Sequence, residues 1–81
     1  MAWRYQPVFI EDDGGRQYGA CEVYFDDKEK LEAWSEIVEP LGDTLENFCE
    51  MLTKMLADAK AWKPVEFSEL EVGFEFERLT S

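Results

Sequence analysis

Glu71, Glu75 and Glu77 alternate with Leu70, Val72, Phe74 and Phe76 near the end of this 81-residue sequence. On an extended strand that spacing puts three carboxylates on one face, an arrangement that could hold a hard cation. It is equally the pattern of a solvated strand face whose charge blocks edge-to-edge pairing, and that is the reading adopted. Residues 11–15, EDDGG, invite a calcium loop but lack its alternating oxygen ligands and later glutamate, so they read as a turn. The two thiols, Cys21 and Cys49, are too few and too far apart for a zinc motif or a disulfide framework. The chain has no histidine, the usual proton carrier at neutral pH, and acidic surroundings raise rather than lower a thiol pKa. Both cysteines therefore read as reduced, buried packing residues. Neither a glycine-rich phosphate loop nor a Ser/His/Asp set is present. A protein that is not an enzyme, with no catalytic, metal or cofactor residues, is expected.

Nineteen Asp and Glu against eight Lys and Arg give a net charge of -11. Such a field repels phosphate, which argues against direct binding of nucleic acid or of an anionic membrane, because the cations are scattered. The same field attracts a basic protein. No stretch approaches the roughly 20 apolar residues of a membrane span, and the first residues lack a cationic and apolar leader. A cytoplasmic location is the expectation.

Trp3, Trp34 and Trp62 are more indoles than one thin core readily encloses. Trp34 alternates in step with Glu32 and Glu36, where it packs on a wet face beside Tyr24 or Tyr18, or anchors a partner. Trp34, Tyr24, Glu32, Glu36, Glu71 and Glu75 are the candidate partner-binding residues.

The elements that must position them follow from hydrophobic periodicity. Residues 3–10 and 17–25 are dense in aromatic and aliphatic side chains and flank EDDGGR, so they read as two strands of a hairpin with a loop longer than two residues. DDKEK makes a second reversal, and LEAWSEIV alternates as a third strand. Pro40 and Gly42 end it. Asp43 and Glu46 have the spacing of a capping box, worth about 1 kcal/mol, at the start of a helix over 44–61. Leu45, Phe48, Cys49, Leu52, Met55, Leu56 and Ala59 form its apolar stripe, with Met51 and Trp62 at its margin and Asp58 on the wet side. Pro64 closes the helix, and the alternation over 70–77 predicts the fourth strand.

The resulting fold class is α+β, a single domain over 1–81 in the order β-β-β-α-β. A right-handed crossover lays strand four parallel to strand one in a mainly antiparallel sheet of order 3-2-1-4. The one helix packs on one face and leaves the other open.

The hairpin YQPVFIEDDGGRQYGACEVYF followed by GDTLENFCEMLTKMLADA resembles the N-terminal domain of HicB-type antitoxins over residues 3–62, with Gly42, Thr44 and Glu46 at the family's Gly-x-Thr-x-Glu turn. The resemblance implies a HicB-like domain whose partner is a small basic RNA-cleaving toxin. No DNA-binding helix-turn-helix accompanies it here, and YQPVF lacks the mid-strand carboxylate of a ribonuclease H-like nuclease. The expected function is a small acidic protein-interaction domain. Two alternatives stand beside it: a homo-oligomeric accessory subunit self-associating through the open sheet face or edge strand four, and a ligand-binding domain with a pocket between helix and sheet.

Overall fold

The computed structural model describes residues 2–72 and 76–79. Its strands β1 (Ala2–Asp12) and β2 (Gly15–Phe25) pair antiparallel along their whole length, from Ala2 opposite Phe25 to Asp12 opposite Gly15. Only Asp13 and Gly14 lie between them, so the loop is shorter than the sequence reading anticipates. The ladder extends past the apolar run because the turn supplies its own bonds. Gly14 N–H donates to Asp12 Oδ1 at 2.8 Å, and Gly15 takes φ 117°, a conformation open to glycine without a Cβ penalty.

A second turn leads to β3 (Leu31–Ile37), antiparallel to β2. Asp26 Oδ1 organises it by accepting from the amides of Lys28 and Lys30 at 2.8 and 3.0 Å. Two register shifts along β2–β3 bend this outer strand. The helix α1 (Leu45–Ala61) starts and stops within one residue of its sequence-based limits. Its cap differs. Thr44, not Asp43, is the N-cap, extended at φ -132°, ψ 162°, with its side chain accepting from Asn47 N–H at 3.0 Å. Gly42 is what allows the chain to enter at this angle, because a Cβ there would come within 2.6 Å of the Phe48 amide nitrogen.

Beyond α1, β4 (Val65–Glu66) pairs parallel to β1, with Val65 opposite Val8, and the sheet order is β3-β2-β1-β4. This α+β architecture, with strand four beside strand one, is the one the crossover rule anticipates. The strand itself is not the anticipated segment. Val65 and Glu66 occupy the open edge of β1 directly after Pro64, while Phe67–Val72 winds into a 3-10 helix. Of the expected strand over 70–77, residues 73–75 lie outside the described residues.

That 3-10 turn carries Leu70 into the core at 1% exposure. Cross-strand partners share a face, so Gln6 opposite Cys21 and Arg4 opposite Val23 define one side of the sheet. On that side Val8, Cys21, Val23 and Leu70 are fully buried, ringed by Phe25, Leu31, Ile37, Val65, Phe67 and Phe76. The side expected to be open is therefore the dry core, roofed by the chain after Pro64.

α1 lies against β1 on the opposite side, where Trp3 and Tyr5 project. Lys54 Nζ stands 5.0 Å from the Trp3 ring and Asp58 Oδ2 accepts from Tyr5 N–H at 2.9 Å. None of its side chains is fully buried. Phe48, Met51, Met55, Asp58 and Ala61 are half-buried, whereas Leu45, Cys49, Leu52, Leu56 and Ala59 are exposed. The expected stripe is thus rotated, with Met51 and Asp58 turned inward. The cause is the edge of β1: its pairing with β4 covers Val8 and Phe9 only, so the Tyr5 amide needs another acceptor, and Asp58 provides it.

Candidate functional site

Because β3 is an outer strand of the sheet, its residues define a border of the molecule. Trp34, expected on a wet face shared with Glu32 and Glu36, instead stands opposite Val23 on the core side of the sheet, because register shifts on either side interrupt the alternation, yet it keeps 37% of its surface in solvent. Glu32 and Glu36 are exposed on either side of it, at the two places where the β2–β3 register shifts. Between them Ser35 Oγ accepts from Glu22 N–H at 2.9 Å and donates to the Glu36 carbonyl at 2.7 Å, which holds the bent strand on β2.

Tyr24 is opposite Ala33 and therefore faces the other way from Trp34. Its hydroxyl donates to Glu22 Oε1 at 2.8 Å, and that bond to a carboxylate raises the phenol pKa. Trp3 lies beside it at 6.5 Å between ring centroids. Glu32, Trp34 and Glu36 lie within one stretch of β3, and Tyr24 of β2 is on the opposite face of the sheet from Trp34. Glu71 is exposed in the 3-10 turn, away from β3 in sequence and element, and Glu75 is outside the described residues.

The intrachain ion pairs among the described residues are Arg16 with Glu11, Lys54 with Asp58 at 3.4 Å, and Lys63 with Glu77 at 3.7 Å. Glu32, Glu36 and Glu71 belong to none of them. Their charge stays directed at solvent, and an indole between two such carboxylates can pack on the stem of a lysine or arginine while they pair with its head.

Among the described residues no three acidic, cysteine or histidine side chains converge as a metal site. Cys21 is wholly buried, and burial pushes its thiol up to about 11, so it is a neutral packing group at physiological pH. Cys49 departs from the expectation of burial and is exposed on α1. An open groove of about 510 Å³ lies between the hairpin and β4, with Arg16 and Lys63 on its walls. Both cations are engaged by Glu11 and Glu77.

Arg4 is the residue that sequence reasoning passed over. Its guanidinium lies 3.7 Å from the centre of the Trp62 ring and 5.0 Å from that of Phe76, and donates to Gln6 Oε1 at 2.5 Å. Burial lowers its pKa to about 10, against the opposing pull of Asp58. Gln6, fully buried, donates in turn to the Lys63 carbonyl at 3.0 Å. Arg4 thus ties β1 to the chain that leaves α1, a structural role that no local motif around residue 4 announces.

Among the described residues no helix is long and apolar enough to cross a membrane. Comparison with known proteins finds no matching family model, curated protein or solved structure.

Proposed function

We propose that this chain is a small acidic protein-interaction domain, not an enzyme, and that its partner is a basic protein. The observation that carries the reading is the outer strand β3, where half-exposed Trp34 sits between Glu32 and Glu36, two carboxylates without an intrachain cation among the described residues. The net charge of -11 favours encounter with a cationic surface, and the indole offers the apolar anchor that charge alone lacks. The likeness of residues 3–62 to HicB-type antitoxin domains supports a small basic toxin as the partner class. In this reading the protein acts within the cytoplasm and neutralises by occlusion.

The experiment is affinity capture with the wild-type chain and with Trp34→Ala, at low and high salt. A basic protein should be retained by the wild type at low salt, released at high salt as screening weakens the charge term, and lost with Trp34→Ala. Recovery of no basic protein at either salt would remove the reading. Retention unchanged by Trp34→Ala would move the surface away from β3.

A further inference from the structure

Five side chains that the fold leaves in solvent, Leu45, Cys49, Leu52, Leu56 and Ala59, recur along α1 at steps of four, three, four and three residues. Leu45 is 77% exposed, Leu52 40% and Leu56 56%. The average step, about 3.5 residues, is the repeat by which two helices interlock along a shared seam. α1 meets its own sheet through a different stripe, from Phe48 to Ala61. We infer that α1 pairs with α1 of a second copy of this chain, antiparallel about a two-fold axis, on a surface separate from β3.

Charge sets the orientation and register. On the flank of the seam away from β1, Glu46, Thr53 and Lys60 follow one another at intervals of seven residues. Neither Glu46 nor Lys60 has an ion-pair partner among the described residues. The other flank, Phe48 and Met55, is turned toward the protein and half-buried. In a parallel pair each charged flank would face that apolar one. In an antiparallel pair the charged flanks face each other, so Glu46 meets Lys60 of the second copy twice and Thr53 meets its own equivalent. The register that does this sets Cys49 against Ala59 and Leu52 against Leu56, the bulky layers at the centre and the small ones outside. Such an interface uses the same patch on both copies and closes as a dimer.

α1 is roughly 25 Å long at 1.5 Å per residue, which confines the seam to a few layers and falls short of the about 1,200 Å² of a standard stable interface. The association is accordingly weak, with a Kd on the order of micromolar. Being apolar, it persists in high salt, where the attraction to a basic partner fades.

Sedimentation equilibrium of the full chain over micromolar concentrations should show a monomer–dimer equilibrium. Glu46→Lys and Lys60→Glu each set like charges across the two-fold and should weaken it about tenfold. Mixed together, the two variants should associate as well as the wild type, because each cation of one then meets a carboxylate of the other. Ala59→Cys supplies an independent arm that changes a single exposed side chain. Mild oxidation should link it to Cys49 of the second copy, and adding Cys49→Ser should abolish the link. In the wild type the two Cys49 residues stand about 15 Å apart along the axis, so no disulfide-linked dimer should form. A monomer at every concentration, failure of the mixed variants to re-associate, or rapid linking of wild-type Cys49 would each overturn the proposal.

Discussion

The β1–β2 hairpin and α1 are comparably apolar in composition, yet they end in opposite environments. The hairpin contributes Val8, Cys21 and Val23, all fully buried, whereas α1 contributes no buried residue at all. The difference lies in what each element finds to pack on. One side of the hairpin is roofed by Val65, Phe67, Leu70 and Phe76, all from the chain after the helix. α1 rests on β1 through a half-buried stripe that includes a carboxylate, and keeps its leucines outside. The lesson is that a helix in a small α+β domain need not cover the main core. Here the tail does so, and the helix is held by an edge contact and its cap.

Truncating one leucine in each region should give the widest gap between them. Leu70→Ala empties a fully buried site and should cost about 2–5 kcal/mol in urea unfolding. Leu52→Ala on α1 should stay within about 0.5 kcal/mol when measured on dilute monomer. Equal losses at the two positions would mean that α1, and not the tail, roofs the core.

The next effect tests how the helix is held. Asp58→Ala leaves the Tyr5 amide without the acceptor at 2.9 Å and should destabilise by about 1–3 kcal/mol, with faster hydrogen exchange at Tyr5. Unchanged protection at Tyr5 would show that the contact to β1 does not hold α1.

The smallest effect at neutral pH separates the thiols. At pH 8 Cys49 should react with an aromatic disulfide reagent at the rate of an exposed thiol, while Cys21 waits for unfolding. Because the folded Cys21 pKa is raised from 9.0 to about 11, the stability it contributes is complete below pH 9 and is lost as pH rises through 11. The unfolding midpoint should therefore begin to fall between pH 9 and 10, less steeply in Cys21→Val. A flat profile there in the wild type would mean that Cys21 is open to water.

Much of this architecture can be read from local pattern. The hairpin runs, the polar reversals, the helix limits and the strand order each follow from periodicity, from Pro40 and Pro64, or from connection handedness. The exposure of Glu32 and Glu36 was legible for the same reason, whereas the alternation set Trp34 on their face and the register shifts turn it to the core side. The placement of Tyr24 on the other face from Trp34 was not legible, because it depends on the register that sets Trp34 opposite Val23 and Ala33 opposite Tyr24. Arg4 was hidden because its aromatic neighbours Trp62 and Phe76 come from far along the chain.

By itself the sequence determined the first three extended segments, the one helix, and that the exterior is acidic, because these depend on neighbours a few residues apart. Only the tertiary structure decided which side of α1 turns inward and which segment closes the sheet. Both turn on competition for the edge of β1: Val65 and Glu66 take its upper part before the alternating run over 70–77 can, and the Tyr5 amide draws Asp58 inward and leaves the leucines out. A buried backbone donor without a partner costs more than a few half-exposed methyl groups, and that inequality is settled between distant parts of the chain.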